Sequence, residues 1–260
     1  MQTGVRRSAA SGLVLVTAMS LSVAGCGISG TPLGRAAPPS ATSTPDASQF
    51  SPVEKLVDAA AKTNQGLITV VMRVPGIRTE ARMDPDGRKA RTNIFLEDVA
   101  GDLFEVEVIQ IGADLYLRLP DVPGQTSWMH GGAADFPPDS PLRALRESDH
   151  SRAADLANCV VSADRKGGHD FTGLLDLTRS RNVPQKLLTE LGPKAKAVPF
   201  RARTSRDGSL HEFTVELPSV LPGYDEIRYT YSRMDTFDVE RPDASQVTEL
   251  TDSLTDRFEV

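Results

Sequence analysis

The chain has 260 residues, with 29 Lys and Arg against 35 Asp and Glu, a formal charge of −6, and 5% aromatic side chains. That balance excludes nucleic acid as a partner, since phosphate-backbone binding rests on clustered Lys and Arg, and it argues against a polybasic membrane patch. Scarce aromatics disfavour a surface of stacking platforms and point to a core of Val, Leu and Ile.

Residues 1–25 carry Arg6 and Arg7, no acidic residue, an apolar run from Gly12 to Ala24, and small residues before Cys26. This is the layout of a signal peptide. The run of about 13 residues falls short of the roughly 20 that span a bilayer as a helix. Val23-Ala24-Gly25-Cys26 resembles a bacterial lipobox, which implies a diacylglycerol-modified Cys26 and a mature protein anchored on the extracytoplasmic face of the cell membrane. The alternative for Cys26 is an ordinary residue in the cleavage region of a secreted protein. Arg6-Arg7 also fits a twin-arginine signal, but Ser8-Ala9-Ala10 stands where bulky apolar residues belong, so export of an unfolded chain is expected. Loss of the leader with Arg6 and Arg7 takes the formal charge to −8. With Cys26 acylated, Cys159 is a lone thiol and no internal disulfide is available.

Residues 26–50 form the anchor and a Ser/Thr/Pro linker, as in Pro38-Pro39-Ser40-Ala41-Thr42-Ser43-Thr44-Pro45. Such a stretch buries too little to offset its ordering entropy. It holds the folded part about 25–30 Å from the membrane on average. Its Ser and Thr serve either as bare linker or as glycosylation sites.

Residues 51–260 read as a single domain, long enough to bury roughly 70% of the surface of the unfolded chain. Ser51-Pro52 opens a helix with Val53, Leu56, Val57 and Ala60 at helical spacing, ending near Gln65-Gly66. The period then becomes two. Ile68, Val70, Met72 and Val74 share one face, and Ile77, Thr79, Ala81 and Met83 follow the break at Pro75-Gly76. Asp84-Pro85-Asp86-Gly87 turns the chain. Ala90, Thr92, Ile94 and Leu96 alternate next, then Phe104, Val106 and Val108, then Leu115, Leu117 and Leu119, making a five-stranded antiparallel meander. Gly131-Gly132, Pro137-Pro138 and Pro141 break any period in the middle, where Leu142, Leu145 and Leu156 suggest one or two short helices over the sheet. Strands return at Cys159-Val160-Val161 and at Phe171 to Leu177. Pro184 to Leu191 reads as a helix stopped by Gly192-Pro193. Val198, Phe200 and Ala202, then Phe213, Val215 and Leu217, then Ile227, Tyr229 and Tyr231 complete about ten strands. The fold class is α+β, and a sheet of that width tends to curl.

No catalytic constellation emerges. His211-Glu212 starts like a zinc protease motif, but Val215 occupies the place of the second histidine and the segment is a strand. His130, His150 and His169 lie far apart, without metal-site spacing, so no metal and no cofactor is expected. Glu105 and Glu107 share a strand face where two carboxylates could do acid and base work; a solvated face opposite Phe104, Val106 and Val108 explains them with less. Cys159 beside Val160-Val161 is a buried thiol, since reactivity needs a basic, exposed setting. No nucleophile elbow, phosphate loop or dinucleotide fingerprint is present.

Several phrases resemble the LppX/LprG-type lipoproteins of actinobacteria, whose fold is similar to the LolA and LolB carriers. They are the lipobox and linker, Gly66-Leu67-Ile68-Thr69-Val70, Ile111-Gly112-Ala113-Asp114-Leu115-Tyr116-Leu117, Phe171-Thr172-Gly173-Leu174-Leu175-Asp176-Leu177, Val198-Pro199-Phe200-Arg201-Ala202, Tyr229-Thr230-Tyr231-Ser232, Phe237-Asp238-Val239 and Pro242-Asp243. The resemblance spans about residues 51–250. It implies a strongly curved antiparallel half-barrel of about ten strands, helices on its concave face, and an apolar cavity holding the acyl chains of a lipid or lipoglycan. The chain departs from the pattern in its Arg-rich strand from Arg88 to Arg91 and in its Gly/Pro-rich middle. The family supplies no catalytic residues to carry over. The expectation is a non-enzymatic, monomeric envelope lipoprotein with a lipid or lipoglycan as ligand and the membrane as its anchor. A sensory or protein-interaction domain is the alternative, and an envelope hydrolase a third.

Overall fold

The computed structural model describes residues 50–97, 103–122, 126–132, 135, 151–218 and 225–250. The leader, Cys26, the linker up to Gln49, His150, and the expected helix at Leu142 and Leu145 lie outside the described residues. The described elements all belong to one compact unit that begins at Asp46.

The chain opens with α1 (Pro52–Thr63), whose start is fixed by a capping box. Ser51 Oγ accepts from Glu54 N–H at 3.2 Å, and Glu54 accepts from Ser51 N–H at 2.7 Å. A cap of this kind contributes about 1 kcal/mol. The buried stripe is Leu56, Ala59, Ala60 and Thr63, while Val57, expected in the core, is 42% exposed. The stripe therefore sits one residue round from the expected one, and small alanines let the helix lie close to the sheet.

Six strands follow, β1 (Ile68–Val74), β2 (Ile77–Asp84), β3 (Lys89–Glu97), β4 (Leu103–Ile111), β5 (Asp114–Arg118) and β6 (Trp128–Gly132). Then come α2 (Ala153–Cys159), β7 (Val160–Arg165), β8 (Asp170–Leu175), α3 (Gln185–Leu191), β9 (Val198–Thr204), β10 (Leu210–Glu216), β11 (Glu226–Arg233) and β12 (Val247–Glu249). The fold is α+β. Among the described residues, twelve strands join one sheet in the order β12-β6-β5-β4-β3-β2-β1-β11-β10-β9-β8-β7.

Two features correct the expectation of about ten antiparallel strands. β6 and β12 are additional, and β12 runs parallel to β6, so the sheet is mixed. Parallel pairing requires a long connection rather than a hairpin. Here the chain leaves β11 in the middle of the sheet and reaches the β6 edge by crossing the sheet, with Phe237 and Val239 packed on Ile109, Ile111, Tyr116 and Trp128. Cys159 closes α2 instead of opening a strand, and the segment after Leu175 turns into a 3-10 helix over Leu177–Arg179.

Two bulges keep the apolar side facing inward where simple alternation would fail. The register shifts between Leu210 and Glu212 on β10 and between Val160 and Ser162 on β7. An extra residue at each point re-aims the strand, so Leu210 and Phe213 both enter the main core although they are three residues apart.

Candidate functional site

Register places the inward residues of neighbouring strands on one continuous apolar face. Leu175, Val198, Phe200 and Phe213 lead through Tyr229 and Tyr231 to Val70 and Ile68, then across Ala81, Thr92 and Val108 to Leu117. Among the described residues, α1, α2 and α3 all pack on this side, in one core with the part of the sheet that runs from β7 through β1 to Ala81 and Met83 on β2 and Ala90 on β3. Phe200 stacks on Phe213 with ring centroids 5.0 Å apart and planes 8° apart. Thr63 ties α1 to the sheet, since its hydroxyl accepts from the N–H of Leu210 at 2.8 Å and donates to the Ala59 carbonyl at 2.8 Å.

The far half of the same face has a separate cluster, Val106, Val108, Leu115, Leu117 and Leu119, with Ile94, Leu96, Val122, Met129 and Leu250 packed against it. None of the three helices contributes to that cluster. Met72, Ile77, Ile94 and Leu96 are half-buried there, and Phe104 is 37% exposed. Chemically, such a surface can hold apolar groups by burial and little else.

Cys159 is fully buried, and burial pushes its thiol up to about 12, with the nearby Asp155 carboxylate acting in the same direction. It is an inert core thiol. His130 lies on β6, its ring tilted 36° against Tyr116 with centroids 4.9 Å apart, and placed 3.5 Å from Asp114 and 3.9 Å from Glu249. His169 is exposed in the β7–β8 turn near Thr204, and His211 is exposed at the β10 bulge. The structure brings no two of these histidines together. Among the described residues, no group of three or more His, Cys, Asp or Glu side chains could hold a metal ion, and no helix is long and apolar enough to cross a membrane.

Glu105 and Glu107 differ from the solvated pair expected. Glu107 is buried and grips Arg118 at 2.6 Å, with Arg91 at 3.8 Å, and the Arg118 guanidinium lies 4.7 Å over the Trp128 ring. Glu105 accepts from the Asn93 side chain. Arg91 on β3 and Arg118 on β5 flank Glu107 from the two adjacent strands, and sequence alternation carries no signal for which side chains meet across strands.

A cleft of about 240 Å³ opens where the end of α1 meets the β9–β10 turn, lined by Thr63, Ser205, Asp207, Ser209, His211 and Arg233 among others. Its polar groups are largely occupied in holding the turn. Ser209 donates its hydroxyl and N–H to Asp207 at 2.7 and 3.0 Å, which holds that carboxyl below its usual range, and Arg233 donates to the Lys62 carbonyl. Ligand pockets usually run from about 300 Å³ upward, and a space this small, with Thr63, Ser209 and Arg233 already paired, is a joint between helix and hairpin.

No family model matches the chain, and no curated protein matches its sequence.

Proposed function

We propose that the protein is a cell-envelope lipoprotein that binds or carries the acyl part of a lipid or lipoglycan, without enzymatic activity. In this reading the sheet bends as a half-barrel with the helices on its concave side, and the ligand lies along the apolar face where the helices stop. The observation that carries it is that face. It continues across the sheet through β6, while among the described residues the core that α1, α2 and α3 share with the sheet ends at Ala81 and Met83 on β2 and Ala90 on β3. Burying a side chain such as Ile94 or Leu96 from half exposure stabilises a complex by about 1 kcal/mol, so several together give useful affinity for an alkyl chain. The anchor at Cys26 supports the reading from the sequence side.

Native mass spectrometry of residues 27–260, made in bacteria without the leader, tests the ligand. Co-purifying lipid that is lost when Ile94 and Leu96 are both replaced by Asp is expected. A protein that stays empty, and whose far cluster is closed by its own side chains, refutes it. Fractionation of the Cys26→Ala chain tests the anchor separately, with release into the medium or failure of processing expected.

A second reading, a protein-interaction domain, is favoured by the free edge at β7, where Val161 and Leu174 are 47% and 38% exposed side by side. Cross-linking in membranes from a cysteine placed at Val161 would distinguish it: a discrete protein adduct supports this reading.

A further inference from the structure

The polar face of the sheet is laced with cross-strand ion pairs. Arg203 meets Asp170 at 2.7 Å, Arg201 meets Glu216 at 2.6 Å, and Arg118 meets Glu107 at 2.6 Å. β1 is different. Its outward positions are Thr69, Val71 and Arg73, with no carboxylate among them. The register sets Arg73 directly between Arg78 on β2 and Arg228 on β11. Residues paired across antiparallel strands share a face, so three guanidinium side chains leave the sheet side by side.

The nearby acids sit on the two outer arginines of the row rather than on Arg73. Glu80 is shared between Arg78 at 3.0 Å and Arg82 at 4.0 Å, and Glu226 between Arg228 at 2.5 Å and Arg201 at 3.4 Å. The Arg73 side chain is exposed and makes no ion pair or hydrogen bond among the described residues. The Nε of Arg228 is shielded from solvent with no acceptor. Phe95 lies under the Arg78 guanidinium at 5.7 Å and props it outward.

Like charges placed directly opposite on neighbouring strands destabilise a sheet, and a guanidinium cannot relieve the strain by losing its proton. In a chain with a net charge of −6 the row is no by-product of basic composition. Strands lie about 4.8 Å apart, so three long side chains start within about 10 Å of one another and can converge on a single group. Their N–H forks match the oxygens of a phosphoryl group.

We propose that Arg73, Arg78 and Arg228 form a binding site for a phosphate-bearing anion, either a soluble phosphate or diphosphate or the headgroup of an anionic lipid. Arg73 is its centre, because of the three it is the one whose side chain has no partner to leave among the described residues. The site lies on the face opposite the apolar one, so it stands or falls independently of the acyl-binding reading.

The test uses residues 27–260, which contain the whole compact unit. Titration calorimetry with inorganic pyrophosphate in low salt should show binding that weakens about tenfold in Arg73→Gln, the loss of one charged hydrogen-bonding partner. Arg203→Gln, away from the row, should bind as the parent does. Thermal unfolding without ligand should leave Arg73→Gln as stable as the parent or slightly more so, because a repulsion has been removed; weaker binding is then not misfolding. Flotation with vesicles of phosphatidylglycerol, against phosphatidylcholine alone, identifies the source. Retention on the former that Arg73→Gln abolishes assigns a lipid headgroup, whereas pyrophosphate binding alone assigns a soluble anion. The proposal is overturned if neither probe binds at low salt, or if Arg73→Gln binds as tightly as the parent.

Discussion

Replacing Thr63 by Val isolates the bond that fastens α1 to the sheet. The two side chains have nearly the same shape, Thr63 is 2% exposed, and the exchange leaves the N–H of Leu210, a residue also 2% exposed, without its acceptor. The Ala59 carbonyl keeps its helical partner, so one donor is orphaned and no cavity forms. A buried unsatisfied N–H costs about 1–3 kcal/mol. Taking about 2 kcal/mol, the unfolding constant rises roughly thirtyfold, and Tm falls by about 4–8 °C for a domain of this size. Thr63→Ser retains the hydroxyl and loses a methyl worth about 0.8 kcal/mol, so Tm falls by about 2–3 °C. Urea and thermal melts of residues 27–260 followed by circular dichroism measure both. Were Val within 0.5 kcal/mol of the parent, or Ser less stable than Val, the argument that this hydrogen bond holds the helix would be wrong.

Other perturbations probe the packing elsewhere. A Cβ added at Gly173 would lie 2.0 Å from the Ser162 carbonyl oxygen and 2.8 Å from Cε1 of Phe200, so Gly173→Ala must push the bulged β7 away from β8; a loss of at least about 3 kcal/mol is expected, read as the drop in urea midpoint. Arg118→Met leaves the buried Glu107 with Arg91 alone, 3.8 Å away, and should cost about 2 kcal/mol. That loss should shrink in the Glu107→Gln background, which a double-mutant cycle would show. For Cys159, whose folded thiol is pushed up to about 12 from an ordinary 9.0, the unfolded state releases its proton first as pH rises. Stability is therefore full below about pH 9 and declines between 9 and 12. Cys159→Ala should flatten that decline in denaturant melts at stepped pH, and maleimide should label the native protein only as fast as it opens.

The strands that alternate were readable from the chain, because a half-buried strand must place apolar residues at every second position. Ile68 to Met72, Ala90 to Leu96 and Val198 to Ala202 all face the side that their spacing implies. β6 was not readable, since Gly131 and Gly132 carry no side chain to mark a face, and a Cβ at Gly131 would lie 2.9 Å from Leu250. β12 has three residues, too few for any period. Pairing between distant strands leaves no local trace either, so neither the β1–β11 seam nor the Arg73 row that it creates could be seen. The burial of Glu107 escaped for the same reason. Of the site residues, Cys159 was legible as buried from its apolar neighbours, whereas Cys26 belongs to the part of the chain outside the described residues.

The β1–β11 seam also bears on how the protein comes to be folded. β1 to β5 follow one another as neighbours in a meander, but β1 keeps an open edge until residues 226–233 arrive to pair with it. A sheet closed by its first and nearly last strands has a high contact order and pairs slowly. During synthesis, the early meander would wait with one edge unpaired, the state most prone to pairing with a neighbouring chain. Under the proposed envelope location, export as an unfolded chain would remove that hazard, because both sides of the seam would become available together once the whole chain had crossed.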